Sequence, residues 1–409
     1  MIYKYSRSFN GDVVSFGRFQ YHRCLVRRTS APSIRMYREG SSDLENLFVC
    51  PATKLPLTQV PREEAERLMG GELKARAVLP NARGIDSKPA GVTETVLLRE
   101  DLSCAYPIVD GIPVLLAPES LAIDSELLQF DLTDPRYAEA YEEMAFYDSR
   151  ASSTIEKLET GGAESILPTE MAATENERRT FPAPWSRWVD TPHDLAAQWE
   201  GYEHLEVAGK RVMQLGGSGT HAIKFAMAGA AEAWLITPML DEARIAARLA
   251  HSVGVGGRFH VAVAIAEELP IVSNSFDGIY TGGCLHHTVT DLALPESARV
   301  LRPGGRFAAT EPWRAPLYGI GTRLLGKRED AYCRPLTGPR LASLDSSFSS
   351  SKRIQHGTLT RYPLIALEKF GLPTMKRLHW YLGKFDDAAC SLIPGMRKFG
   401  GSIAILSIK

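Results

Sequence analysis

The chain of 409 residues is short of cysteine: six, scattered at Cys24, Cys50, Cys104, Cys284, Cys333 and Cys390. Such spacing excludes a disulfide framework, which a chain of this size does not need, and fits a reducing compartment. No apolar run reaches the roughly 18 residues of a membrane-crossing helix. Net charge is also lacking, at −1 near neutral pH, so the chain as a whole gives no electrostatic reason to expect nucleic acid or a membrane surface as its partner. Acids are scarce in the first 40 residues, where only Asp12 and Glu39 stand against Lys4, Arg7, Arg18, Arg23, Arg27, Arg28, Arg35 and Arg38. An Arg- and Ser-rich, acid-poor start reads either as a disordered leader or as an organelle transit peptide. The expected location is the cytoplasm, or an organelle matrix if residues 1–44 are a targeting segment.

What remains is the composition of a globular protein, 44% hydrophobic and 23% charged, long enough for two or three domains at about 150 residues each. Residues 45–118 read as a small β-rich unit, with VTETVLL alternating as a strand and CAYPIVDGIPVLL closing it. Residues 119–204 read as a polar helical preface, with Asp134-Pro135 as a helix start and a loop across 159–184. From 205 the pattern changes. VAGKRVMQL, AEAWLIT, RFHVAVA, FDGIYTGG and GGRFAATEP read as strands, separated by helices such as MLDEARIAARLAHS, whose Leu240, Ala243, Ala247 and Ala250 share one face. Strands and helices alternating at this length predict an α/β fold: a parallel sheet with helices on both faces, and a ligand at the carboxyl ends of the strands.

The segment AVAIAEELPIVSNSFDGIYTGGCLHH, residues 262–287, and ARVLRPGGRFAATEP, residues 298–312, resemble class I S-adenosylmethionine-dependent methyltransferases of the type 11 kind. Ala266, Glu267, Leu269, Pro270, Asn274, Ser275, Phe276, Asp277, Leu285, His286, His287, Pro303, Gly304, Gly305 and Phe307 carry the resemblance. It implies a Rossmann-like seven-stranded sheet over 205–409, with SIAILSI as the last, antiparallel strand and a lid insertion at about 312–350. The small unit resembles the zinc-ribbon-like domain found before the catalytic domain in many bacterial methyltransferases, through Tyr106 to Pro113. Its metal ligands are not kept: Cys50 and Cys104 remain and Thr53 replaces a third, too few for a tetrahedral zinc site. A degenerate ribbon without metal is expected.

The resemblance implies S-adenosylmethionine as cofactor and places its contacts at Gln214, Gly216, Gly217, Ser218, Gly219, Thr237, Ile265, Ala266, Glu267 and Thr281. Glycines let the backbone come close to the ligand. Three acids of the pattern are replaced, by Gln214, by Thr237 and by Ile265. A hydrogen bond to a charged acceptor is worth about 1.5–3 kcal/mol, so each replacement costs about ten- to a hundredfold in affinity unless compensated. A nicotinamide nucleotide is the rival cofactor that a lone glycine loop allows. His286 and Glu311, at the ends of the fourth and fifth strands, are the catalytic candidates. His286 equally reads as a helix cap, and Cys284 as a packing residue rather than a nucleophile. Eleven cations lie between Arg302 and Arg361 (Arg302, Arg306, Arg314, Arg323, Lys327, Arg328, Arg334, Arg340, Lys352, Arg353, Arg361). A basic lid would suit an anionic small-molecule acceptor; a solvated surface is the plainer reading. Little aromatic interleaving argues against single-stranded nucleic acid. Two functions stand open: methyl transfer to a small acceptor, or a methyltransferase fold that has lost catalysis and serves protein partners as a binding module.

Overall fold

The computed structural model describes residues 46–123 apart from 76 and 80–92, scattered positions between 129 and 154, and 194–409 apart from 317, 325–333, 371–375 and 394. The Arg-rich start and the expected loop at 159–184 lie outside the described residues. Among the described residues no helix is long and apolar enough to cross a membrane.

Seven strands form the main sheet: β4 (Arg211–Leu215), β5 (Glu232–Thr237), β6 (Phe259–Val263), β7 (Phe276–Gly282), β8 (Leu301–Pro312), β9 (Ser350–His356) and β10 (Ser402–Ile408). Their order is β6-β5-β4-β7-β8-β10-β9. β10 runs antiparallel to both its neighbours, and the pairs from β6 to β8 are parallel. Parallel strands covered on both faces must be apolar throughout. Val212, Met213 and Leu215 of β4 and Ala233 to Ile236 of β5 are accordingly buried. Helices α3 (Thr220–Met227), α4 (Leu240–Ser252) and α5 (Thr290–Val300) fill the crossovers. The face of α4 expected to be internal is so, with Ala243, Ala247 and Ala250 buried. Its small side chains allow close approach: a β-carbon on Gly219 would come within 2.7 Å of Ala246.

Helix α2 (Leu195–Leu205) lies ahead of the boundary expected at 205, yet it packs on the sheet. His204 Nε2 stands 3.0 Å from the Ser407 carbonyl oxygen, and Arg306 donates to the His204 carbonyl. After β9 come α7 (Arg361–Lys369) and α8 (Lys376–Leu392), the latter against α2, and α6 (Tyr318–Leu324) follows β8.

The unit before the sheet is a small antiparallel sheet built on β1 (Leu57–Pro61), β2 (Thr95–Arg99) and β3 (Ala105–Val109), with α1 (Arg62–Met69) after the first strand. Cys50 and Cys104 are both buried. Hydrogen bonding to Cys104 draws the Cys50 thiol below its usual range, against the effect of burial; Thr53 and Tyr106 help. Arg99 Nη1 lies 3.6 Å from Cys50 Sγ and Tyr106 Oη 3.2 Å from it. Two thiols, a phenol and a guanidinium make up this centre. A zinc-ribbon assignment has no support beyond the Tyr106 to Pro113 match. The unit covers the β6 edge: Leu115 N donates to the Val263 carbonyl at 2.7 Å, and Phe48 packs edge-on to Trp234. A strand edge that would otherwise lie open is thereby protected.

Candidate active site

A cavity of about 330 Å³ opens where β4 meets β7, the point at which strand order reverses, and ligands of open α/β sheets bind there. Four strand ends wall it: Gln214, Gly216, Gly217 and Ser218 at the end of β4; Ile236, Pro238 and Met239 at the end of β5; Ala264 to Glu267 after β6; and Gly282, Gly283, Cys284, His287 and Thr288 at the end of β7. Thr220 and His221 of α3 and Glu242 of α4 complete the floor. The volume is at the lower end of small-molecule sites.

The glycine loop has the backbone that only glycine adopts readily, with φ of 70° at Gly216, 72° at Gly217 and 78° at Gly219. Gly216 is required by its neighbour, since a β-carbon there would fall 2.0 Å from Cys284 Sγ. Gly283 (φ 66°) would meet nothing within 4 Å; its bare backbone forms part of the cradle. Gln214 is buried and doubly engaged. Its Nε2 donates to the Gly216 carbonyl at 2.8 Å, and its Oε1 accepts from Ala222 N at 2.7 Å. It therefore pins the loop to α3, a task that needs one donor and one acceptor and that a carboxylate could not fill.

Of the cofactor positions expected from sequence, Gln214, Gly216, Gly217, Ser218, Ile265, Ala266 and Glu267 come together on the cavity wall. Gly219, Thr237 and Thr281 do not. Gly219 serves the α4 contact, Thr237 Oγ1 turns to Met239 N, and Thr281 Oγ1 donates to Glu311. The catalytic candidates also stand behind the wall. Glu311 is fully enclosed and accepts from Cys284 N (3.1 Å), Leu285 N (2.9 Å) and His286 Nδ1 (2.8 Å). Burial would raise its pKa, but His286 and these amides hold it below the usual carboxylate range. It is an anchor for the loop after β7. Glu311 and His286 are both buried and neither lines the cavity.

Three residues outside the expected cofactor and catalytic sets line the cavity. Glu242, one turn into α4, is the carboxylate that enters where Thr237 turns away. His287, rather than His286, lines the cavity. Glu139 comes from a helical stretch at 136–141 that crosses the opening, with Arg136 and Ala140 beside it. Asp134 caps that stretch by accepting from Arg136 N at 3.0 Å, as the Asp-Pro signal predicts. Arg136 and Tyr137 bind Glu268, and Tyr141 Oη donates to Glu119 at 2.9 Å. Arg136, Glu139 and Ala140 thus line the cavity, while the described part of 312–350 packs on α5 through Thr290–Arg340 and Ser343–Thr290 contacts. Arg340 donates to the carbonyls of His286 (3.0 Å) and Thr288 (2.9 Å), fixing the loop that presents His287.

Electrostatically the wall is acidic. Among the described residues that line it, Glu139, Glu242 and Glu267 face a single Lys or Arg, Arg136, already held by Asp134 and Glu268. Burial pushes Glu267 up to about 7; the Val289 amide, donating at 2.8 Å, opposes it, and the charges of Glu139 and Glu268 add to it. Glu139 Oε1 is buried 3.7 Å from His287 Nδ1 with no hydrogen-bond partner among the described residues. Of the cations expected to form a basic lid, Arg302, Arg306, Arg353 and Arg361 pair with Asp277, Glu206, Asp345 and Asp194. Arg334, 3.6 Å from Glu139, and Arg340, on the carbonyls of His286 and Thr288, bring their charges toward the site.

The sheet order with its antiparallel β10, the glycine loop and the cavity at the switch point make a Rossmann-like α/β domain of the kind methyltransferases use. Residues 215–309 match the methyltransferase domain family. Over 162 residues the chain is 32% identical to a ubiquinone/menaquinone biosynthesis C-methyltransferase of Vibrio vulnificus, a span of 38% of this chain and 59% of the relative. Over 149 residues it is 30% identical to a methyltransferase of Streptomyces halstedii, covering 36% and 52%. The chain thus spans little more than half the length of these relatives. Among solved structures, the [4+2]-cyclase SpnF aligns at 22% identity with a TM-score of 0.40, over 66% of this chain and 96% of that one. A geranyl diphosphate C-methyltransferase from Streptomyces coelicolor gives 15% and 0.35, over 54% and 80%. Structural likenesses at those scores carry no weight for function.

Proposed function

We propose that this chain transfers a methyl group from S-adenosylmethionine to a small acceptor lacking negative charge. The observation that carries the proposal is the cavity itself, with its glycine loop, two buried carboxylates and apolar wall. These residues fit the cofactor. Gly217 and Gly283 offer bare backbone, Ile236, Met239 and Ile265 an apolar slot, and Glu242 and Glu267 acceptors for amino and hydroxyl donors. In the bound state the cofactor supplies a methyl group already activated on a sulfonium, so alignment is the protein's main contribution. An acidic wall favours that cation.

Among the described residues of the basic stretch after β8, Arg302, Arg306, Arg353 and Arg361 pair with carboxylates away from the cavity and Arg340 with loop carbonyls, so the acidic wall guides the choice of acceptor. His287 is positioned by the Arg340 clamp on its loop and by Glu139. It is the group suited to take a proton from an O–H or an activated C–H of the acceptor. The ring's second nitrogen would face the acceptor while Nδ1 faces Glu139. Carbon methylation is the activity named for the Vibrio relatives, and a polarised carbon next to a base is compatible with this wall. The alternative of a catalytically silent binding module is less well supported. The replaced acids that suggest it do not leave the site bare, because Gln214 has its own task and Glu242 supplies the carboxylate missing at Thr237.

The test is transfer of labelled methyl from S-adenosylmethionine into small molecules of a cell extract. Label in an acceptor is expected with the native chain. His287→Asn should lower turnover about 10²- to 10⁴-fold with cofactor affinity unchanged. Full turnover by the variant would remove His287 from the chemistry, and no label in any fraction would remove the activity.

A further inference from the structure

Away from the cavity, α8 has two unlike faces. One is locked into the fold. His379, Asp386 and Cys390 are buried, Asp386 accepts from Thr358 N (2.8 Å) and Leu359 N (2.6 Å), and Trp380 meets Trp199 of α2 edge-on. The other face is open to solvent although it is apolar: Leu378 is 42% exposed, Tyr381 63%, Phe385 61% and Leu392 82%, and Ile393 continues the stripe at 56%. Spacings of three, four and seven residues place Leu378, Tyr381, Phe385 and Leu392 in one line along the helix. At 1.5 Å per residue the 17-residue helix is about 25 Å long. Isolated exposed hydrophobics need no explanation, but a contiguous stripe on a rigidly held helix marks a contact surface.

The charges beside the stripe select the partner. Arg377 and Lys384 of α8 are exposed, with Lys384 Nζ 4.5 Å from the Trp380 ring centroid, and Lys398 is exposed in the turn that follows the helix. The two acids of α8 are turned inward, Asp386 to the backbone and Asp387 to His356 and Arg397. Among the described residues of α8, every exposed charge is positive. An apolar stripe flanked by cations, on a helix too polar to span, is the pattern of a helix lying in the plane of an anionic lipid surface.

We infer that α8 seats the protein on anionic membranes, with Leu378, Tyr381, Phe385, Leu392 and Ile393 entering the acyl boundary and Lys384, Arg377 and Lys398 facing the headgroups. The geometry also places that contact near the site. Ala196 of α2 approaches Gly383, and Gln198, two residues further on, reaches His221 on the cavity floor at 3.4 Å. A membrane-bound α8 therefore lies one helix from the cavity. The inference does not depend on the cofactor or on methyl transfer.

The experiment is co-sedimentation of the full chain with vesicles of phosphatidylcholine alone and of phosphatidylcholine mixed with phosphatidylglycerol. Binding is expected to the mixed vesicles, at least about tenfold weaker to the neutral ones, and to weaken as salt is added. The variant Tyr381→Ser/Phe385→Ser/Leu392→Ser should lose binding to the mixed vesicles at least about tenfold while keeping its thermal unfolding, because all three side chains are exposed. Lys384→Glu should lose it without any change in apolar area. Failure to pellet with either vesicle overturns the inference. So does a stable dimer in the native chain that the triple variant dissociates, since the stripe would then be a self-interface.

Discussion

Gln214 shows how a replacement can alter one interaction without emptying a site. Its amide bonds both the glycine loop and α3, so the residue is held in place by two partners. The acid missing at Thr237 has a counterpart in Glu242, further along the chain. Sequence reasoning looks for it at the strand end, whereas α4 turns back over the cavity and brings its first turn inward. The signal is present in the acids opening MLDEARIAARLAHS, which read as ordinary helix-dipole partners. Glu267 is legible because it belongs to the Ala-Glu-x-Leu-Pro pattern, and it yields a prediction. Its pKa is raised to about 7, so in the free protein it ionises only as pH rises through that value. Relative to an ordinary glutamate it adds stability below about 4.5 and loses that contribution as pH rises through about 7. Donors on the cofactor favour its ionised form. Affinity for S-adenosylmethionine should therefore increase about tenfold between roughly pH 6 and pH 8, and Glu267→Gln should flatten the profile. An unchanged slope in the variant would show that another group titrates.

At the scale of elements, the loop after β7 is assembled by groups that never meet the cavity. Glu311 collects the amides of Cys284 and Leu285 from below, and Arg340 takes the carbonyls of His286 and Thr288 from above. Sequence can place His286 and His287 at this strand end, because the spacing from Asn-Ser-Phe-Asp fixes it. It cannot say which ring turns inward, which depends on a buried carboxylate 25 residues away from His286. A second buried histidine governs α8. His356 lies 3.1 Å from Glu200 of α2 and 3.5 Å from Asp387 of α8, with Arg397 also on Asp387. Burial alone would lower its pKa; the hydrogen bonds and charges of Asp387 and Glu200 outweigh that and push it up to about 9. Its pKa is thus higher folded than unfolded. The stabilisation is complete below about 6.5 and is lost as pH rises through about 9. Thermal unfolding temperature should consequently fall across that window. His356→Gln should start lower and fall less steeply, and a parallel fall in the variant would assign the effect elsewhere.

For the whole molecule, the sheet is the most legible part. Runs such as AWLIT and SIAILSI are apolar enough to be buried on both faces, and their order follows from the family pattern they resemble. The covering of the site is not legible. The stretch at 136–141 reaches the cavity through single bonds from Arg136 and Tyr137 to Glu268, contacts with no local sequence signature. The apolar stripe on α8 is likewise hidden by whole-chain charge, which averages its cations against acids elsewhere. Methyl transfer requires S-adenosylmethionine to occupy this cavity, and calorimetric titration of the full chain with that compound and with its demethylated product decides whether it does. Micromolar binding of both is expected, weakened about ten- to a hundredfold by Glu242→Gln. No heat and no thermal shift at millimolar concentration would refute that occupancy.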